Sequence, residues 1–109
     1  AGGEVGAAKI AQSDPALKEN VKVADTRTAL DDISAVDLKK FNFKPEAQMA
    51  LGDSGKEHTG MMADQVPGSI AEGTSEISIY DTVGNLVGAI QELRKELEMI
   101  KSQFGRGTV

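Results

Sequence analysis

Ser13 and Lys18, five positions apart in Ser13-Asp14-Pro15-Ala16-Leu17-Lys18, are the residues whose types and spacing can do covalent chemistry. A serine hydroxyl attacks a carbonyl only when a nearby base takes its proton, and a neutral lysine amine is one such base. A lysine amine with the ordinary pKa near 10.4 is neutral in about one copy in a few thousand at pH 7, so burial or another cation must supply about 4.6 kcal/mol. A lysine left in water by a monomer does not meet that requirement. The same stretch also fits a local role, since Asp14-Pro15 suits an N-cap followed by a first helical position. Spacing alone therefore leaves a dyad and a cap side by side. No cysteine is present and His58 is the one histidine, which excludes thiolate catalysis, disulfides and Cys-based zinc or iron–sulfur sites. Neither a metal nor any other cofactor is expected.

The elements that must position these residues come from a short chain. Its 109 residues suit one domain, and a hydrophobic fraction of 39% is enough for a core without being generous. Aromatics are scarce (Phe41, Phe43, Tyr80 and Phe104, with no Trp), so a partner subunit is expected to complete the interior. Twelve basic against seventeen acidic residues, a formal charge of −5, argue against a nucleic-acid surface, which needs clustered cations. No apolar run approaches the roughly 18 residues of a membrane span, and no signal-peptide pattern is seen.

Residues 1–12 are small and Gly-rich and read as a linker or the end of a preceding segment, with the domain proper at 13–109. A short helical turn after Ser13 should lead into a strand carrying Val21 and Val23. Asp25 or Thr26 can cap a helix with Leu30, Ile33 and Val36 at helical spacing, followed by a strand in which Phe41 and Phe43 alternate with polar residues until Pro45. Glu46 to Glu57 reads as a turn or loop. His58 to Val66 reads as a buried strand or short packed segment ending at Pro67-Gly68. Pro67 to Thr74 should be a polar, exposed loop, and Glu76 to Tyr80 a half-buried strand before Asp81 caps a last helix. The two loops, 46–57 and 67–74, are expected to be mobile and, being polar and Gly-rich, to offer no pocket for a small ligand.

That last helix is the strongest pattern. Val83, Leu86, Ile90, Leu93, Leu97, Ile100 and Phe104 are spaced 3, 4, 3, 4, 3 and 4, an a/d heptad seam that predicts a coiled coil at about 83–104. Glu96 at g and Lys101 at the following e suit a pair between chains. The competing reading is an amphipathic helix packed on its own domain. Gly84 and Gly88 each cost about 1 kcal/mol relative to Ala in a helix, which points to a close approach of backbones near its start. The expected class is α+β, a small mixed domain with short strands and a long C-terminal helix forming a coiled coil, whose number of chains the mixed Val, Ile and Leu at a and d leaves open.

Gly52-Asp53-Ser54-Gly55 has the look of a chymotrypsin-like nucleophile loop, but that mechanism needs a His base and a buried Asp on two barrels, and here the histidine follows the serine in a chain of half the size. It reads as a turn. A wider pattern is more specific: SDPALKENV, then His58-Thr59-Gly60-Met61-Met62-Ala63, then a strand ending in Tyr80, then AIQELRKELEMIKSQ. Over residues 13–104 this resembles the self-cleaving C-terminal intramolecular chaperone domain of bacteriophage tail spikes, tail fibres and neck appendages, the endosialidase type.

The resemblance implies a domain that gathers three chains, helps the upstream stem of the fibre to wind, and then cuts itself off. It implies Ser13 as nucleophile, Lys18 as base and Gln12–Ser13 as the scissile bond. Asp14 would orient Lys18 or cap the turn, and His58 would transfer a proton or hold structure. It further implies a homotrimer joined through Val83 to Phe104, no nucleic-acid or membrane partner, and a virion appendage precursor assembled in the host cytoplasm. Two positions depart from the family pattern: Ala16 stands where Arg is common, and Asp64 where Gln follows the Ala. The alternative is a non-cleaving trimeric structural tip; a general coiled-coil adaptor is a further one.

Overall fold

The computed structural model describes residues 13–107; Gln12, and with it the Gln12–Ser13 bond and the segment 1–12, lies outside them. Asp14 Oδ1 accepts a hydrogen bond from Ala16 N at 2.9 Å and caps a single 3-10 turn, Pro15–Leu17. Pro15 presets the first φ of that turn, and Lys18 N closes it on Pro15 O at 3.1 Å.

Beyond Lys18 the chain runs without regular structure to Asp25. The strand expected at Val21 and Val23 is not formed. Their alternation has no neighbouring strand to pair with, and the side chains stay 80% and 98% exposed. Helix α1 (Thr26–Ser34) follows, capped by Asp25, whose Oδ1 accepts from Arg27 N at 3.0 Å and whose Oδ2 accepts from Thr28 Oγ1 at 2.9 Å.

Strands β1 (Lys39–Phe41) and β2 (His58–Gly60) pair antiparallel, with Phe41 opposite His58 and Lys39 opposite Gly60. Phe43 falls past the end of β1, yet its ring meets that of Phe41 edge-on at 5.2 Å. Between the strands, residues expected as loop form helix α2 (Pro45–Leu51). The correction has a simple cause. Pro45 sits at the first helical position, Glu46 to Leu51 are good helix formers, and Gly52 in the left-handed region (φ +66°) ends the helix. The turn at Asp53-Ser54-Gly55 does form.

Past Met61 and Met62 and a 3-10 turn at Ala63–Gln65, the second ribbon pairs β3 (Ala71–Glu72) with β4 (Glu76–Ile77), Ala71 facing Ile77. The expected exposed loop at Pro67 to Thr74 holds only in part: Gly68, Ser69 and Glu72 to Thr74 are exposed, while Ile70 is not. Ile70 is 1% exposed, the most deeply buried large side chain among the described residues, with its carbonyl accepting from Ser78 N at 2.8 Å. One apolar residue in a polar string carries no periodicity, which is why the anchor was not visible.

Helix α3 (Ile79–Gly107) begins earlier than Asp81. Ser78 Oγ accepts from Asp81 N at 3.0 Å, the bond of an N-cap to the third helical position, so Tyr80 lies in the first turn rather than in a strand. Along α3, Thr82, Ala89 and Glu92 are buried against the rest of the fold. Glu92 accepts from Thr26 Oγ1 at 2.8 Å and pairs with Lys95 at 3.3 Å; the Thr26 bond, then Lys95, hold its carboxyl below the usual range. The a/d seam lies one position further round and is left bare: Val83, Leu86, Ile90, Leu93, Leu97, Ile100 and Phe104 are 41–68% exposed. The helix is thus amphipathic twice over, and only its small and polar row packs on its own domain. Among the described residues the buried apolar side chains are Ala29, Ile70 and Ala89. The radius of gyration is 18.5 Å, against about 13 Å for a compact domain of this length.

The two helix glycines separate cleanly. A Cβ at Gly88 would stand 2.9 Å from the Ala29 Cβ, whereas one at Gly84 meets nothing within 4 Å. Gly88→Ala should therefore lower the thermal midpoint, a clash of about 1–3 kcal/mol outweighing the helix-propensity gain. Gly84→Ala should raise it by up to about 1 kcal/mol of stability. Midpoints of both variants at one protein concentration check the opposite signs.

Candidate active site

Ser13 and Lys18 are brought to the same place by the capped turn between them. Lys18 Nζ donates to the Tyr80 hydroxyl oxygen at 3.0 Å, and Ser13 Oγ lies 3.5 Å from that same oxygen. Serine and lysine thus meet through a third side chain, the Tyr80 hydroxyl supplied by the first turn of α3. Lys18 Nζ is 5.8 Å from the centroid of the Tyr80 ring. That exceeds its distance to the oxygen by about the centroid-to-oxygen length of a phenol, so the amine lies beyond the hydroxyl along the ring axis. The contact is a hydrogen bond and not a charge over the π face. Bonds from Ser13 and then Lys18 hold the Tyr80 phenol below its usual pKa, since both favour the phenolate.

All three groups are solvent-exposed, Tyr80 by 40%. In the single chain the Lys18 side chain thus stays in contact with water. At 3.5 Å the Ser13 separation is longer than an ordinary O–H···O hydrogen bond.

Asp14 spends its Oδ1 on Ala16 N, the cap of the two roles open to it. Ala16, where Arg is common in the resembling domains, is exposed and contributes that N–H. His58 is placed elsewhere, on β2. Its Nε2 lies 2.6 Å from Asp53 Oδ2, and its ring packs against Phe41 (centroids 5.7 Å, stacked) and Phe43 (5.2 Å, edge-on). Gly60 belongs to the same cluster, because a Cβ there would press on the Phe41 ring at 3.3 Å. His58 therefore organises the β1–β2 ribbon and the Asp53 turn, and none of these contacts reaches Ser13 or Lys18.

Asp53 was not singled out as the partner of His58, and nothing but its proximity in sequence signalled it. The Gly55 N–H, bound at 2.7 Å, and then His58 hold its carboxyl below the usual carboxylate range. A depressed folded-state pKa gives stability that is complete above the unfolded value, near 3.9, and is lost as the pH falls through the folded one. The urea midpoint should consequently drop between about pH 5 and pH 3, and drop less in Asp53→Asn. Equal drops in the two proteins would remove Asp53 from the account.

A family model described as chaperone of endosialidase, a peptidase family, matches residues 13–73. The chain belongs to that family. The match opens on Ser13 and takes in Lys18, Asp53, His58 and the buried Ile70, and it ends before β4 and α3. Tyr80 and the a/d seam thus lie beyond the segment that carries the endosialidase-chaperone match. A chaperone role and a peptidase character are properties of that family. Among the described residues no helix is long and apolar enough to cross a membrane, and no group of three or more His, Asp or Glu is placed to hold a metal ion.

Tyr80 is the residue that the structure places beside Ser13 and Lys18 and that sequence reasoning did not place there. The signal was present in Ser78-x-x-Asp81, a capping pattern that starts the helix early enough to put Tyr80 on its first turn.

Proposed function

We propose that this chain is a C-terminal intramolecular chaperone, spanning 13–109, that trimerises through the a/d seam of α3. It assists folding of an upstream phage fibre or tailspike stem and then releases itself by hydrolysing Gln12–Ser13. The single observation that carries the reading is the convergence of Ser13 and Lys18 on one hydroxyl at the base of the helix that bears the seam.

The chemistry is self-contained apart from water. With Lys18 neutral, the Ser13 hydroxyl loses its proton to the base and Oγ attacks the Gln12 carbonyl carbon. The tetrahedral adduct collapses with cleavage of the C–N bond, the nitrogen taking the proton back, to leave an ester between the Gln12 acyl group and Ser13 Oγ. Water hydrolyses that ester, giving a Gln12 carboxylate and restoring the Ser13 hydroxyl. Assembly supplies what the single chain lacks, because three seams brought together cover the exposed site at their base and make a neutral amine less costly. The order is also the useful one: a chaperone that cut before three chains had joined would leave an unfinished stem.

The partners in this reading are two further copies of the chain and its own stem, with no nucleic acid and no membrane; the product is a virion appendage assembled in the host cytoplasm. The exposed apolar residues of α2, Met49 at 88% and Leu51 at 62%, make that helix and the turn after it the part expected to touch the stem. Intact-mass measurement of the purified chain extended upstream tests cleavage: two products meeting between Gln12 and Ser13 are expected, and a trimer that stays whole supports the non-cleaving tip instead.

A further inference from the structure

We propose that Tyr80 is a third catalytic residue, a proton relay whose hydroxyl carries the Ser13 proton to Lys18. This rests on the cleavage reading above and extends it to a residue outside the segment matched by the family.

Three observations lead to it. First, the Tyr80 oxygen is the atom that Ser13 and Lys18 share, at 3.5 and 3.0 Å. Second, the phenol is the right kind of group for the task, because a hydroxyl donates and accepts at once. With Lys18 charged, its ammonium donates to the Tyr80 oxygen. When the Lys18–Tyr80 pair has lost one proton, Nζ moves off the ring axis to where the bent Tyr80 O–H can donate to it, and the oxygen becomes free to accept from Ser13. The Ser13 proton then moves to the Tyr80 oxygen as the Tyr80 proton moves to Nζ. Lys18 ends as ammonium, Tyr80 as neutral phenol, and the Oγ electron pair forms the bond to the Gln12 carbonyl carbon. Reversal of the same two transfers delivers the proton to the departing nitrogen. The lowered phenol pKa agrees with hydrogen bonding of that oxygen to Ser13 and Lys18.

Third, the mounting of Tyr80 couples the relay to assembly. The heptad register of the seam extends back to Ile79 at d, which is 69% exposed, and puts Tyr80 at the following e. Positions e and g flank the apolar seam of a coiled coil. Closing the seam therefore draws the flank carrying Tyr80, and with it Lys18, out of water. Ser78 fixes this geometry by capping α3 two residues earlier.

The test uses the chain extended upstream, with cleavage followed by intact mass across a range of pH. Tyr80→Phe keeps the ring and removes only the relay oxygen. It should trimerise and cut at least about 100-fold more slowly at neutral pH, the scale of a lost acid–base group. The rising limb of its rate against pH should move upward. Mixtures of light and heavy water should give a curved dependence for wild type, with two protons in flight, and a straight one for Tyr80→Phe. A group that merely supports the turn would move neither the limb nor the curvature. Should Tyr80→Phe fail to assemble, 3-fluorotyrosine at position 80, a more acidic phenol of nearly the same shape, should shift the limb to lower pH; an unmoved limb overturns the relay. Wild-type cleavage with Lys18→Ala whole and Tyr80→Phe unimpaired overturns the relay while leaving the dyad intact. A wild-type trimer that never cuts overturns both.

Discussion

Ser13→Ala and Lys18→Ala should assemble as trimers and stay full length, while the wild-type chain separates between Gln12 and Ser13. Alanine at position 13 has no oxygen to receive the Gln12 acyl group, so the route through an ester is closed and the expected loss is complete. Alanine at position 18 keeps the nucleophile and removes the acceptor of its proton, a loss of about two to four orders of magnitude for a general base. Neither change touches the packing of α3. Ser13 and Lys18 are exposed in the single chain, and their contacts are with the Tyr80 hydroxyl. Folding and assembly should therefore be unaltered, which separates a chemical lesion from a structural one. Lys18→Ala cutting at the wild-type rate would rule out the proposed base. A wild-type trimer that remains whole would favour the structural tip and turn attention to Ala16, where the resembling domains commonly carry Arg.

Leu93→Asp with Leu97→Asp should abolish the trimer and, with it, cleavage. The two leucines are 53% and 48% exposed in the single chain although each occupies a core position of the heptad. Burying a leucine fully is worth about 1.5–3 kcal/mol relative to leaving it in water. Replacing it with a carboxylate forfeits that gain and brings like charges from three chains to one axis, where each ion removed from water costs several kcal/mol. The domain fold should survive, because Leu93 and Leu97 are half exposed and form a row beside the buried one of Thr82, Ala89 and Glu92, not part of it. Light scattering should find a monomer with near-normal circular dichroism, and intact mass should find an uncut chain. A monomeric wild type would take away the basis of the assembly reading, and a monomeric variant that still cuts would uncouple the site from assembly.

Much of this protein was determined by residue type and spacing alone. Asp14-Pro15 specifies its own capped turn, because both residues act on the backbone beside them. Asp25 caps α1 for the same reason. The seven-residue seam marks α3 across its whole length, since a period of alternating threes and fours survives any local exception. The turn at Asp53 to Gly55 and a strand at Phe41 were legible too, although its pairing with the His58 strand was not. What failed were features whose cause lies at a distance. Val21 and Val23 alternate like a strand, yet a strand exists only where another supplies its hydrogen bonds. Ile70 is one apolar residue in a polar string, and burial at a single position leaves no period to read. Gly84 and Gly88 are equivalent in the sequence, but only Gly88 meets Ala29, because only the packing of α1 on α3 tells the two apart. That same packing settled which row of α3 the domain keeps for itself and which it leaves bare. Tyr80 belongs with these cases. Its hydroxyl is separated from the Ser13 hydroxyl and the Lys18 amine by more than sixty positions along the chain, and a hydrogen bond depends on where atoms end in space, which only the folded chain decides.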